Sequence, residues 1–404
     1  MKQLLAYCLS IILCVSFTGC MENYLDLYPE DKITSASFPE NESDIKLLLN
    51  GVYAQLREKE VYNQGLFGFG ITDGATPNAF NWGTDEVFNK LGAGRLSSSD
   101  GGVVTYRWKR CYEIISRANY LLACMDLVDL SEEAKAKYSG ETHFLRGLAY
   151  SVLAETYGGV PIILTNISTE EARSLKRASL EETWQQALDD YEVAITNLGV
   201  DAPEPGRATK GAALGMKMRA YLYQGKYKEV LACVEQIDAL KKYGLFHSYE
   251  GLFDPANENN KEVLFDIQYI EGENSQGSYI DQYCGTGTGS WTRGSRYVPT
   301  DDLVAAYETI DGSPVDPENP YENRDPRLGF TAVLPGSYFL GYRFPNYLYP
   351  GGAFNHAGNR LKHLSTRKYR IQDESKLPPS GQSYINDIIL RYADVLLSKS
   401  GGDY

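Results

Sequence analysis

Apolar residues recur at three- and four-residue intervals along much of this chain, which is the spacing of one face of a helix. From Asn41 to Arg57, the residues Ile45, Leu48, Leu49, Val52, Tyr53 and Leu56 fall on one stripe. The pattern resumes near Val104, where Trp108, Tyr112, Ile115, Asn119 and Leu122 keep a 3.6-residue period. A third helix is predicted from Ser131, a ready N-cap, to about Tyr157, with Gly158, Gly159 and Pro161 as its stop. Ser179 to Glu182 reads as a capping box opening a helix that ends near Leu198. Two further helices, Thr209 to Gln224 and Tyr227 to Lys242, lie either side of Gly225. The first carries Ala213, Met216, Ala220 and Tyr223 on its stripe; the second carries Tyr227, Leu231, Val234 and Ile237.

Small residues on the first of these two helices let the second approach closely. Ala220, Tyr221, Tyr223, Gly225 and Tyr227 loosely resemble a tetratricopeptide unit, so helical hairpins are expected rather than a regular array. After Gly244 the character changes. Glu262 to Tyr269 reads as a strand, Thr300 to Glu308 as a short helix, Asp311 to Asp325 as a loop, and Gly329 to Leu334 as a second short strand. A last helix is predicted from about Asn386 through Leu397. Two loop-rich insertions, at 60–102 and 271–356, are too long for plain connectors. The fold class is therefore mainly α: tetratricopeptide-like helical hairpins supporting a loop-rich face with a few short strands.

The N-terminus has its own logic. Lys2 precedes an almost wholly apolar run from Leu4 to Phe17, which is the layout of a secretory signal and is too short to span a bilayer. Thr18-Gly19 before Cys20 looks like a bacterial lipobox, although Phe17 stands where Leu is usual. The expected organisation is a lipoprotein signal peptide at 1–19, a tether at 20–39 with Cys20 lipidated, and one helical domain at 40–404. Several acyl chains would anchor such a body stably, at about 0.8 kcal/mol per buried CH₂. The 404 residues carry a net charge of −14 and 43% hydrophobic content. That suffices for a sizeable core, and the acidic balance argues against a nucleic-acid partner. Beyond the signal and Cys20, the cysteines Cys111, Cys124, Cys233 and Cys284 form no CxxC pair, and the three in helical patterns read as small core residues.

Enzyme motifs are absent. His143, His247, His356 and His363 lack metal spacing, no GxSxG occurs, and Gly285 to Ser290 lacks the context of a dinucleotide loop. No cofactor or metal is expected. The 31 tyrosines stand out, because tyrosine suits binding surfaces yet also packs helix pairs, and only placement separates the two. Trp108 and Tyr112, on a helix stripe, read as core; Arg146 among apolar residues reads as half of a buried pair; Arg324, Asp325 and Arg327 read as a structural ion-pair turn.

Seven motifs in order resemble those of the SusD/RagB family of outer-membrane lipoproteins. They are Cys20 with Tyr24-Leu25-Asp26 and Pro29; Leu49 to Tyr53; Trp108 to Asn119; Phe144 to Tyr150 with Tyr157 to Pro161; the hairpin Lys210 to Leu245; Tyr321 to Leu328; and Leu390 to Leu397. The resemblance implies a non-catalytic, lipid-anchored protein of the cell outer membrane that captures glycans and sits as a lid on a SusC-like TonB-dependent transporter. Peptide capture, or a purely structural role on the transporter, are the alternatives it leaves. Glu22 and Asp26 resemble the signal that sends such lipoproteins to the surface. Family chains usually continue past the Arg391 to Leu397 motif, so this C-terminus is expected to be incomplete.

A neutral sugar needs aromatic platforms flanked by hydrogen-bonding groups. Two loop regions offer both. The first supplies Asp73, Asn78 and Trp82, with Phe80 and Asn81. The second supplies Tyr283, Trp291, Arg296 and Tyr297, with Tyr279, Asp281, Gln282 and Arg293. Trp82 and Trp291 lie on no helical stripe and are the leading candidates. The aromatic run from Tyr338 to Phe354 is a further edge for ligand or transporter.

Overall fold

The computed structural model describes residues 38–57, 73–81, 90–270, 277–278, 297–343, 354–356, 359–361, 364–377 and 383–402. Its helical layer is built from α1 (Glu42–Ala54), α2 (Val103–Cys124), α3 (Glu132–Tyr157), α4 (Thr169–Ser174), α5 (Leu180–Asn197), α6 (Lys210–Tyr223) and α7 (Tyr227–Ala239). The caps are those expected from the residue types. Asn41, Ser131 and Thr209 each accept a backbone N–H of the first turn, and Ser179 with Glu182 closes a full capping box. A second capping box, Ser168 with Glu171, opens the short α4 that periodicity missed.

α3 is the central element. Nearly every residue from Phe144 to Ala154 is buried, so α3 touches neighbours all round instead of along one stripe. Its closest neighbour is α5. A Cβ on Gly147 would lie 3.1 Å from the Ala187 carbonyl oxygen, Asp190 Cβ and Tyr191 Cε1. Glycine mid-helix costs about 1 kcal/mol in propensity, and here it permits the backbone approach. One residue away, Arg146 is buried and donates to Asp190 through Nη2 at 2.7 Å and to Asn119 Oδ1 through Nη1 at 2.8 Å. This joins α2, α3 and α5 through one guanidinium, as expected for Arg146.

Tyrosine hydroxyls hold connecting segments to the helices. Tyr112 donates to the Pro161 carbonyl and Tyr150 to that of Ile163, while Ile163 N–H donates back to Tyr150. Tyr53 donates to Glu141, and Tyr191 meets Ser151. Much of the tyrosine excess is thus structural. Cys111, Cys124 and Cys233 are free and buried, as small core residues. Cys284 lies outside the described residues.

The hairpin of α6 and α7 forms across Gly225, which takes φ 67 at the turn. Its packing stripe differs from the expected one. Val230, Cys233, Val234 and Ile237 are buried, whereas Tyr223 and Tyr227 are exposed. Each tyrosine sits at the turn end of its helix, where about half of its surface stays exposed.

Small antiparallel pairs lie beside the helices: β1 (Ala79–Asn81) with β3 (Tyr297–Pro299), β2 (Val263–Ile267) with β10 (Asp387–Arg391), β4 (Ala332–Val333) with β9 (Ser365–Thr366), β5 (Tyr338–Phe339) with β6 (Tyr342–Arg343), and β7 (Phe354–His356) with β8 (Asn359–Leu361). Two expectations need correction. The last helix, α10 (Tyr392–Gly402), does not start near Asn386, because residues 387–391 run as β10 against β2. Ile388 and Ile389 are β-branched, and Leu390 fits fully buried beside Gly215 of α6, so the strand wins over a helix start. Gly329 is likewise not in a strand. Residues after Asp325-Pro326 wind into the helical turn α9 (Arg327–Thr331), with Leu328 N–H on the Asp325 carbonyl, and extend only at Ala332. The expected short helix after Thr300 is present as α8 (Asp301–Ala306), capped by Thr300.

α10 packs onto α6 and α7 through the fully buried Val395. Tyr392 donates to Asp238 at 2.7 Å, and Arg219 pairs with Asp394 at 2.5 Å. Arg324 acts structurally, donating to the carbonyls of Val304, Tyr307 and Pro320, and Arg327 pairs with Asp325.

Replacing Asp190 by Ala leaves Arg146 charged and buried against a single amide. We expect Asp190→Ala to lower unfolding free energy by about 3–5 kcal/mol, read as a drop in the urea midpoint. An unchanged midpoint would show that the α3–α5 seam does not depend on the pair.

Candidate functional site

The two loop regions singled out in the sequence meet at one place. β1 and β3 pair with Phe80 opposite Val298 and Asn81 opposite Tyr297. Asn78 accepts the Thr300 N–H at 3.0 Å on its carbonyl, and the Thr300 hydroxyl donates to the Pro77 carbonyl. Strand pairing thus sets Asn81, at the end of the first region's described residues, opposite Tyr297, at the start of the second's. The other end of the second region is also tied down. Ser278 and Ser383 exchange backbone hydrogen bonds at 2.7 and 2.6 Å. The described residues on either side of 279–296 are therefore each held by backbone pairing to a distant segment.

Asn78 is exposed at the ribbon, and Phe80 beside it is 41% exposed despite its size. Trp82, Tyr283, Trp291 and Arg296 lie outside the described residues, as do Cys20, Tyr279, Asp281, Gln282, Arg293 and the side chains of Asn81 and Tyr297. At the further aromatic edge, Tyr338 is exposed and Phe339 is buried.

Asp73 does not sit with Asn78 on the ribbon. It faces a cavity of about 540 Å³ between the helical layer and β10. Ser151 and Glu155 come from α3, Arg219 and Tyr223 from α6, Trp184 from α5, and Leu397 from α10. Lys368, Asp387 and Arg391 line another part. Sequence reasoning missed Lys368 and Asp387. The run Arg367-Lys368-Tyr369-Arg370 was the available signal, and Asp387 was hidden inside a stretch read as helix.

The cavity is electrically unusual. Burial pushes the Asp387 carboxyl up to about 7, and Asp266 adds repulsion. Burial raises Asp73 too, against the pull of Lys368. Lys368 is brought down to about 8 by burial first and by Arg391 second, opposed by Asp73 and Asp387. Its ammonium lies 4.5 Å from the centre of the Phe253 ring, a cation–π contact. Along the β2–β10 seam, burial also raises Glu258 to about 7 and Asp266 to about 6, the latter held by Asn386 and Gln268.

Comparison with known proteins agrees with this architecture. Residues 23–222 match a family described as starch-binding, associating with the outer membrane, and residues 261–399 match the SusD family. The chain belongs to the SusD/RagB family. A SusD-like protein of Formosa agariphila is 26% identical over 321 residues, which is 74% of this chain and 58% of the relative. The chain spans about half the length of the next two curated relatives as well, 55% and 48%. Among solved structures, a SusD-like carbohydrate-binding protein from Bacteroides fragilis aligns with a TM-score of 0.79 at 26% identity, over 89% of this chain and 74% of that one. A laminarin-binding SusD-like protein shares the fold at a TM-score of 0.71 and 19% identity, over 90% of this chain and 80% of that one.

The raised carboxyls carry a pH dependence of defined sign. A carboxyl whose pKa is higher folded than unfolded binds more protons in the native state, so its contribution to stability is present below the unfolded value of about 4 and is lost as pH rises through the folded value. We expect Asp387→Asn to gain stability relative to the parent chain as pH goes from about 5 to about 8, measured as the difference in urea midpoints. A pH-independent difference would mean that Asp387 titrates as an ordinary aspartate.

Proposed function

We propose that this protein is a cell-surface glycan-binding lipoprotein, anchored in the outer membrane through Cys20, that captures oligo- or polysaccharide and delivers it to a SusC-like TonB-dependent transporter. The observation carrying the reading is the β1–β3 ribbon. It pairs residues 79–81 with 297–299, the described ends of two aromatic, hydrogen-bonding loop regions far apart in the chain, which supports a shared site. In this reading, aromatic platforms and polar flanks contributed by both regions would meet sugar hydroxyls and C–H faces together. Membership in a family described as starch-binding supports the ligand class, as do the SusD-like neighbours whose names specify carbohydrate and laminarin. One further fold neighbour, at a TM-score of 0.66, was solved with a xylogluco-oligosaccharide.

No catalytic step is part of this reading. The chain holds its ligand and passes it on. Anchoring by lipid is consistent with the described residues, in which no helix is long and apolar enough to cross a membrane.

Affinity electrophoresis of the chain lacking Cys20, against plant, host and microbial polysaccharides, tests this directly. One polysaccharide class is expected to retard it, with little dependence on salt. Trp82→Ala and Trp291→Ala are each expected to weaken that binding by about tenfold or more, about 1.4 kcal/mol per factor of ten. Full binding by both variants would remove the loop edge as the site. Salt-dependent binding of charged peptides, without retardation by any glycan, would replace glycan by peptide as cargo.

A further inference from the structure

We propose that the cavity between α3, α6, β10 and α10 is a second glycan site, separate from the loop edge, which receives the end of a neutral oligosaccharide. The proposal rests on the glycan reading above and adds to it a location and a ligand charge. At about 540 Å³, the cavity falls within the several-hundred-Å³ range of small-molecule pockets.

Its walls supply what a sugar end requires. Tyr223, 52% exposed on the cavity wall, has its ring 6.4 Å from that of the buried Trp184 and tilted 55° to it, which leaves an aromatic face open to the cavity. Lys368, Asp73 and Asp387 line the same cavity and interact electrostatically; the two carboxyls make no side-chain hydrogen bond or ion pair among the described residues, and the Lys368 ammonium is met by the rings of Phe253, Tyr369 and Tyr249 and by no hydrogen-bond acceptor among them. Arg107 Nε, on α2, is buried with no hydrogen-bond partner. Partly desolvated donors and acceptors left unmatched are costly, and an array of sugar hydroxyls, each both donor and acceptor, satisfies them.

The charges select against ionic ligands. Arg219 is already paired with Asp394 and Arg391 with Glu262, so neither is free to hold an incoming acid. Of the lining groups outside those two ion pairs, the carboxyls of Asp73, Glu155 and Asp387 outnumber the cations Lys368 and Arg107, so the carboxylate of an acidic sugar would add to an excess of like charge. A neutral sugar meets acceptors in the two carboxylates and a donor in the ammonium without adding a like charge.

The test is calorimetric titration of the chain lacking Cys20 with maltotriose, laminaritriose, cellotriose, xylotriose and the acidic trigalacturonate. It is run on the parent, on the loop-edge double variant Trp82→Ala/Trp291→Ala, and on that double variant carrying either Glu155→Trp or Lys368→Met. Glu155 is exposed on the cavity wall, so a bulky replacement narrows the space without entering the core. One neutral trisaccharide is expected to bind the double variant within about threefold of the parent, and either added substitution is expected to weaken it by about tenfold or more. Loss of all trisaccharide binding in the double variant would overturn the proposal. So would binding that both added substitutions leave intact, or tighter binding of trigalacturonate than of any neutral sugar. If no trisaccharide binds while a polysaccharide still retards the chain, the cavity site fails and loop-edge glycan capture stands. If trisaccharide binding survives but the two tryptophan variants bind polysaccharide fully, the cavity stands and the loop edge fails.

Discussion

The contact of α3 with α5 is the constraint on which the rest of this structure depends. Gly147 lets the two backbones close to a distance at which even a Cβ would be crowded, and Arg146 then reaches Asp190 and Asn119 inside the seam. Such a buried ion pair is not in itself a large source of stability, because taking both charges out of water is expensive. Its consequence is geometric. A guanidinium that must satisfy a carboxylate on one helix and an amide on another admits one register among α2, α3 and α5. α1, α6 and the extended segment after Gly158 are placed against that register.

From this layer outward, polar side chains position the loops. Asn119 donates to the carbonyls of Ile163 and Thr165, and Tyr112 and Tyr150 hold Pro161 and Ile163. The loop-rich side is tied down differently, by short strand pairs between distant segments. β1 meets β3 across more than two hundred residues of chain, and β2 meets β10 across more than one hundred. Closing such loops is costly in chain entropy. The pairs form because the helical layer brings their ends together, with α6 packing through Gly215 against Leu390. The same burial that makes the β2–β10 seam possible accounts for the raised carboxyls of Glu258, Asp266 and Asp387, which the seam encloses with few compensating charges.

Helices were the most legible part of the chain. Periodicity and caps located α1, α2, α3, α5, α6 and α7 to within a few residues, since both signals act within one or two turns. Arg146 was legible as half of a buried pair because an arginine among apolar residues demands a partner, but Asp190 could not be identified as that partner from forty-four residues away. Errors fell where a partner elsewhere decided the outcome. Residues 387–391 looked like the start of a helix until β2 claimed them, and Tyr223 and Tyr227 fit a stripe whose far ends stay half exposed. Of the candidate site, the two loop regions were recognisable by composition. Their meeting at β1–β3, and the removal of Asp73 to a separate cavity, were not.

By itself, then, the amino-acid sequence determined the mainly helical class and the approximate extents of α1, α2, α3, α5, α6 and α7. Each of these depends on interactions within a few positions along the chain. Only the tertiary structure decided which distant segments share an edge, which tyrosines are staples instead of platforms, and that Lys368, Asp73 and Asp387 face one another. Those outcomes depend on burial and long-range pairing, where free energy is set by neighbours that the local sequence does not specify.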